Sequence, residues 1–305
     1  YAFEVLKKKP EDSDQYFFDF LQFVMGIQQN TYRTGFKIWQ HSLEWIEKRS
    51  FRLGYIFFGN PNERSTTEPI QQYYIFFSPV FGKVERNDEP DEVYFDLTGL
   101  SEDFKNSILL YGAAKAKEVS ATTDQKKLYL SQIEEHRKRS IILFDKEFAD
   151  KTIVYYKNDA KPLKSFPLMG EGSTKEIIFT TVSAKILDKY FNEKYPDYPA
   201  FKDLLQPITK DNFDGRIKNA LKRIVEPGKP NRDGEAILSG LGLWSGQSLS
   251  TEHSKYADQI LQRLKDAGEG AVVNKIDIIY SHYPSQNLYY SVDYNLDFQL
   301  QFVVL

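Results

Sequence analysis

The chain has 305 residues, a net charge of −3 and a pI near 5.9, so it has room for two or more domains and as a whole lacks the basic footprint of a nucleic-acid binder. Hydrophobic residues at 41% and charged residues at 27% are ordinary for a globular protein, and the absence of cysteine removes disulfides, thiolate nucleophiles and cysteine metal sites together, which fits a cytoplasmic protein. No apolar run approaches the roughly 18 residues of a membrane span and no basic-then-apolar leader is present, so the sequence reads as soluble, with no membrane partner.

The first fifty residues read as a helical pair. Ser13 is placed to cap a helix on which Phe17, Phe20, Leu21, Val24 and Ile27 share a face, and Phe36, Trp39, Leu43 and Ile46 repeat the helical spacing. From Phe51 the period changes. LGYIFF, YYIFF and VYFDL are short β-rich runs, separated by the Asn60-Pro61-Asn62 turn and the acidic loop of residues 85–92. Ser101 followed by Glu102 and Asp103 is a helix start, because acids in the first turn meet the positive end of the helix dipole. Phe104, Ile108 and Tyr111 then set that helix on the sheet. A helix over residues 124–139 follows, then strands at SIILF and TIVYY.

The Gly170-Glu171-Gly172-Ser173 turn, after Pro162 and Pro167, reads as the linker between parts. Beyond it the pattern is mainly helical. One helix is marked by Val182, Ile186, Leu187 and Tyr190, a second by Phe213, Ile217, Ala220, Leu221 and Ile224, and a third by Tyr256, Ile260, Leu261 and Leu264, stopped at Gly268. β-type residues at 271–273 and 276–280 then suggest a winged-helix-like module. The fold class is therefore α+β: a helical pair at 1–50, an aromatic-rich mixed α/β domain at 51–168, and a mainly helical domain with terminal strands at 175–305. Aromatics reach 15%, from 23 Phe, 20 Tyr and 3 Trp, and cluster in the apolar strands, so they read as core before they read as a base-stacking surface.

Two stretches carry a family resemblance. In RLGYIFFGNPNERSTTEPIQQYYIFFSPVFGK, beginning at Arg52, a Tyr-rich strand, GNP, a polar Arg-Ser-Thr turn and a second aromatic strand ending in Pro-x-Phe follow in order. Downstream come Tyr198-Pro199-Ala200-Phe201, Pro207-Ile208-Thr209, the helix to Val225, and YADQILQRLKDAGEGAVVN from Tyr256. This wording resembles the large P-loop ATPases of BREX and Pgl bacteriophage-resistance systems, the PglY type, in the region following the ATPase domain. The resemblance implies a parent that hydrolyses ATP, with other phage-resistance proteins as partners. It also implies that ATP and magnesium bind in an N-terminal region of the parent, not in this segment. Tyr1 is not an initiator Met, and the apolar LQFVVL end reads as an exposed strand, a hazard in a finished protein, so the chain is expected to be a piece of something longer.

The motif search yields no catalytic, cofactor or metal residue. G-x-x-x-x-G-K-[ST] is missing, and the nearest string, Met169-Gly170-Glu171-Gly172-Ser173-Thr174-Lys175, has its lysine after Ser-Thr. Ile141-Ile142-Leu143-Phe144-Asp145 imitates the apolar strand and acid that help hold magnesium, and reads as a buried strand leaving the core. His41, His136, His253 and His282 are dispersed without metal-ligand spacing. The charges at 134–139 and 85–92 read as solvated runs, and Leu243-Trp244-Ser245-Gly246 lacks the first glycine of a nucleophile elbow.

One surface points to a partner. On the helix from Phe213, Arg216, Lys218, Lys222 and Arg223 fall opposite the apolar face, with Lys229 and Arg232 following in the loop. Such a stripe can neutralise nucleic-acid phosphates, or be a solvated face. The sequence thus reads as a non-catalytic segment of a large ATPase, relaying nucleotide state to partner proteins or DNA. A stand-alone nucleic-acid-binding or regulatory module, and an unrelated hydrolase with scattered Asp, Glu and His, stay open as alternatives.

Overall fold

Short runs of large apolar side chains build the sheet, and helical spacing of phenylalanines covers it. The computed structural model describes residues 10–26, 32–33, 37–46, 49–57, 72–82, 86–167, 173–206, 208, 211–274, 294 and 296–305; for 10–12, 32–33, 37–46 and 49–57 it describes the backbone alone. The chain divides into two compact units, with the main boundary between Leu187 and Asp188. Among the described residues, no helix is long and apolar enough to cross a membrane.

The first unit is mixed α/β. After α1 (Pro10–Met25), seven strands follow one another across the sheet in sequence order: β1 (Tyr32–Arg33), β2 (Lys37–Ile46), β3 (Arg49–Phe57), β4 (Tyr73–Phe77), β5 (Glu92–Asp96), β6 (Ile153–Tyr156) and β7 (Asp159–Pro162). β3, β4 and β5 are parallel, with Tyr55 opposite Ile75 and Phe76 opposite Tyr94; β5, β6 and β7 run antiparallel. All five residues of β4 are buried, as a strand covered on both faces requires. The expected helix through Trp39 and Leu43 is instead β2, so only the first half of the helical pair forms.

α2 (Glu102–Val119) and α3 (Thr123–Lys151) form a helical hairpin between β5 and β6. Ser101 caps α2, accepting from the Phe104 N–H at 3.2 Å, while its own N–H and hydroxyl donate to Glu147 on α3 at 2.9 and 2.7 Å. Phe17 and Phe20 of α1 meet Phe104 at 6.1 and 5.6 Å between ring centroids, and Phe20 meets Phe144 at 5.6 Å. The expected strand at SIILF is therefore a stretch of α3. Ser140, Phe144 and Phe148 recur every fourth residue on its buried side, and Ile142 faces water. Ser13 is not a cap either: α1 starts at Pro10 and buries both Ser13 and Asp14.

α4 (Lys175–Lys194) crosses the boundary between units. Its first turns belong to the sheet unit, where Phe179 packs edge-on against Phe77 and Phe95 at 4.9 and 4.7 Å. The break thus falls beyond the Gly170 turn, of which residues 170–172 lie outside the described residues.

The second unit is mainly helical: α5 (Phe213–Val225), α6 (Arg232–Gly240), α7 (Lys255–Ala267) and α8 (Phe298–Val304). Its core joins Phe201, Ile217, Ala220, Ile237, Leu241 and Leu300. α5 and α6 approach so closely that a Cβ on Gly234 would lie 2.4 Å from the Asn219 carbonyl oxygen. α7 is capped by Ser254 and ends at Gly268, whose φ of 90° suits a residue without a side chain. The apolar LQFVVL end is helical, not a strand; Asp297 caps α8, which buries Leu300 and Val303. Residues 271–273 form no strand, and 276–280 lie outside the described residues.

Candidate functional site

Parallel strands present their carboxyl ends on one side of a sheet, and in open α/β sheets that side is where ligands bind. Here the ends of β4 and β5 open into a cavity of about 250 Å³ lined by Phe76, Ser78, Gly82, Arg86, Tyr94, Asp96, Thr98 and Tyr155, with Phe77 and Phe95. β5 delivers Asp96, whose Oδ1 accepts from the Thr98 hydroxyl at 2.6 Å, the Thr98 N–H at 2.9 Å and the Ser78 hydroxyl at 3.2 Å. Ser78 in turn accepts from the Leu97 N–H at 2.8 Å, so the two strand ends are stitched together. Phe76 and Tyr94 stack at 4.5 Å and form one wall. The Tyr94 hydroxyl donates to the buried Glu92 carboxylate at 2.7 Å. The Arg86 guanidinium lies 3.8 Å above the Tyr155 ring, and no ion pair holds it among the described residues.

Asp14 of α1 fixes the lip of this cavity. Its Oδ1 accepts from the Val80 and Phe81 N–H groups at 3.0 and 2.9 Å, immediately before Gly82. Burial pushes the Asp14 carboxyl up from 3.8 to about 6, with those two N–H groups pulling the other way. Neither Asp14 nor Asp96 stands out in the sequence. The only signal was the β5 pattern ending in an acid, and a lone acid after a strand is too common to select. Glu92 was read as part of a solvated run, but it is buried at 1% exposure as the first residue of β5.

The basic stripe on α5 is divided. Arg216 and Arg223 are buried, 8% and 7% exposed, and face α6: Arg216 pairs with Asp233 and Arg223 with Glu235 at 2.7 Å. Arg223 also donates to the Pro227 carbonyl at 2.6 Å and lies 4.3 Å over the Trp244 ring. Lys218, Lys222, Lys229 and Arg232 are exposed, Lys229 pairing with Glu226 at 2.8 Å. The wheel misplaced the two arginines because their long stems reach across the crevice to α6, which a single-helix projection does not contain.

The nucleotide-motif look-alikes have plain structural roles. Asp145, expected at a strand end, is inside α3 near its C-terminal end, where it pairs with Lys175 at 2.7 Å, and the Lys175 ammonium sits 3.9 Å over the Phe148 ring. Ser245 lies in a tight turn bridged by Trp244 and Leu249, its hydroxyl donating to the Ser248 carbonyl at 3.1 Å. His136 is half-buried on α3 and His253 exposed, while the side chains of His41 and His282 lie outside the described residues. Among the described residues, no three His, Asp or Glu side chains gather as a metal site would require.

Comparison with known families gives two matches. Residues 4–195 match the DUF6079 third domain, and residues 213–305 match the 4th domain of the same family, described as a family of unknown function. No curated protein and no solved structure matches.

Proposed function

The chain belongs to the DUF6079 family, and from that premise we propose that it is a non-catalytic segment of a large ATPase resembling those of BREX-type phage defence. It relays nucleotide state to partner proteins of such a system or to DNA, in the bacterial cytoplasm. The ordered wording from Arg52 and again from Tyr198 supports the resemblance, and matches to two consecutively numbered domains suit a portion of a larger architecture.

The observation that carries the non-catalytic reading is the Lys175–Asp145 pair. These are the lysine and the acid whose local sequences come nearest to phosphate- and magnesium-holding motifs. Here they neutralise each other, and so tie α4 to α3. Of the basic stripe, the exposed Lys218 and Lys222 of α5 remain for a polyanionic or acidic partner, with Arg232, which opens α6 and does not lie in the loop as expected.

A segment that contacts partners without hydrolysing ATP should compete with its intact parent. Expressing the 305-residue chain beside a working BREX-type system should cut protection, read as plaque counts, by roughly tenfold or more, as expected when a tight contact is occupied. Undiminished protection at saturating expression would contradict the relay reading.

A further inference from the structure

The cavity at the carboxyl ends of β4 and β5 has polar groups whose bonding is incomplete. Asp96 spends Oδ1 on three hydrogen bonds and keeps Oδ2 without one among the described residues. The Ser78 and Thr98 hydroxyl protons are already given to Asp96, so what this end offers a ligand is acceptor capacity. Arg86 supplies the opposite: a fork of N–H donors, unpaired among the described residues, whose guanidinium carbon lies 3.8 Å from the centre of the Tyr155 ring. The same cavity is lined by the stacked rings of Phe76 and Tyr94.

Size and charge narrow the occupant. At about 250 Å³ the cavity falls below the ~300–1,000 Å³ of drug-sized sites, so it holds one ring system. A cationic ligand suits Asp96 but is repelled by Arg86, and a simple anion has the reverse difficulty. A neutral planar heterocycle with adjacent N–H donors on one edge and acceptors on another satisfies both. Among the bases, guanine alone pairs this way: its N1–H and exocyclic amine converge on a carboxylate, here on the Oδ2 that Asp96 keeps, and its O6 and N7 are the acceptors that an arginine fork takes bidentately. Adenine turns the N1 lone pair toward the carboxylate and loses that edge.

We infer that this cavity is a guanine-binding pocket, with Asp96 reading the donor edge, Arg86 reading the acceptor edge, and the aromatic wall stacking on the ring. The base comes either from a free guanine nucleotide or from an unpaired guanine in a single strand, since the chemistry presented to the pocket is the same. Asp14 holds the 80–81 backbone, and with it the lip at Gly82, in the position this pocket needs.

Calorimetric titration of the 305-residue chain tests this with guanosine monophosphate, adenosine monophosphate, and short thymidine oligonucleotides with and without one central guanine. The expected result is a preference of roughly tenfold or more for the guanine partner in at least one pair, lost in Asp96→Asn and in Arg86→Ala. Asparagine keeps an oxygen for the internal bonds, and Arg86 is exposed, so both variants should retain the wild-type circular dichroism spectrum. Mononucleotide binding assigns a free nucleotide; binding of the guanine strand alone assigns a strand. Equal affinity for guanine and adenine partners, unchanged guanine affinity in both variants, or no heat from any guanine partner up to about 1 mM overturns the inference.

Discussion

Asp14 is a buried acid that accepts two backbone N–H groups, and its burial outweighs those bonds, leaving its carboxyl near 6 against 3.8. A folded-state pKa raised in this way means that the native state binds the proton more tightly than the unfolded chain does. The associated stability is full below about pH 4 and is lost as pH rises through about 6. Asp297, the cap of α8, behaves alike: burial raises it to about 6, and the Asp214 carboxylate adds to the effect. Replacing Asp14 with Asn keeps an acceptor for the 80–81 backbone and removes the charge. The variant should therefore gain on wild type as pH goes from 4 to 7, by at most about 3 kcal/mol for two pKa units. Urea midpoints at pH 4, 5.5 and 7 measure this, and a difference that does not change with pH would remove Asp14 as the source. This acid escaped the sequence reading because Ser13 beside it looked like a helix start. Three earlier residues already form the first turn, and only contact with the loop of residues 78–82 reveals why a carboxylate stands there.

Helix α5 shows how a face assigned from one helix alone is redivided by its neighbour. Arg216 and Arg223 point into the crevice with α6, so replacing either leaves Asp233 or Glu235 without its partner, and Arg223 gives up the Trp244 ring and the Pro227 carbonyl as well. Arg223→Ala should cost about 1–3 kcal/mol, because its partner is only partly buried. Lys218→Glu with Lys222→Glu should change stability by no more than about 0.5 kcal/mol each. Thermal unfolding separates the two cases; equal effects would mean that the arginines are not held as described. The same lesson explains α3. β-branched and apolar residues at 140–144 imitate a strand, but a strand would bring Ile142 inward with Phe144, and the core on α1 and α2 admits the phenylalanine alone. The patterns that read correctly were the Ser101 cap, the stop at Gly268, and the short β-rich apolar runs of β4 and β5.

Across the whole chain, an α/β unit precedes a mainly helical one, as the change of period beyond the Gly170 turn implies. The exact break was hidden because α4 serves both sides of it. Its first turns carry Lys175 and Phe179, which are committed to Asp145, Phe148, Phe77 and Phe95, so the sheet unit claims the start of the helix. The cavity at the carboxyl ends of β4 and β5 was not readable either, since Ser78, Asp96 and Tyr155 are brought together by strand pairing across distant segments, with Arg86 beside them. Lys175 and Asp145, whose local sequences come nearest to nucleotide motifs, are likewise paired with each other across distant segments, which supports the proposed non-catalytic role. The direct measurement is calorimetric titration of the purified chain with Mg-ATP. No binding in the micromolar range is expected, in wild type or in Lys175→Ala, because a lysine already held by Asp145 contributes nothing to phosphate. Micromolar Mg-ATP binding that Lys175→Ala abolishes would contradict the non-catalytic assignment.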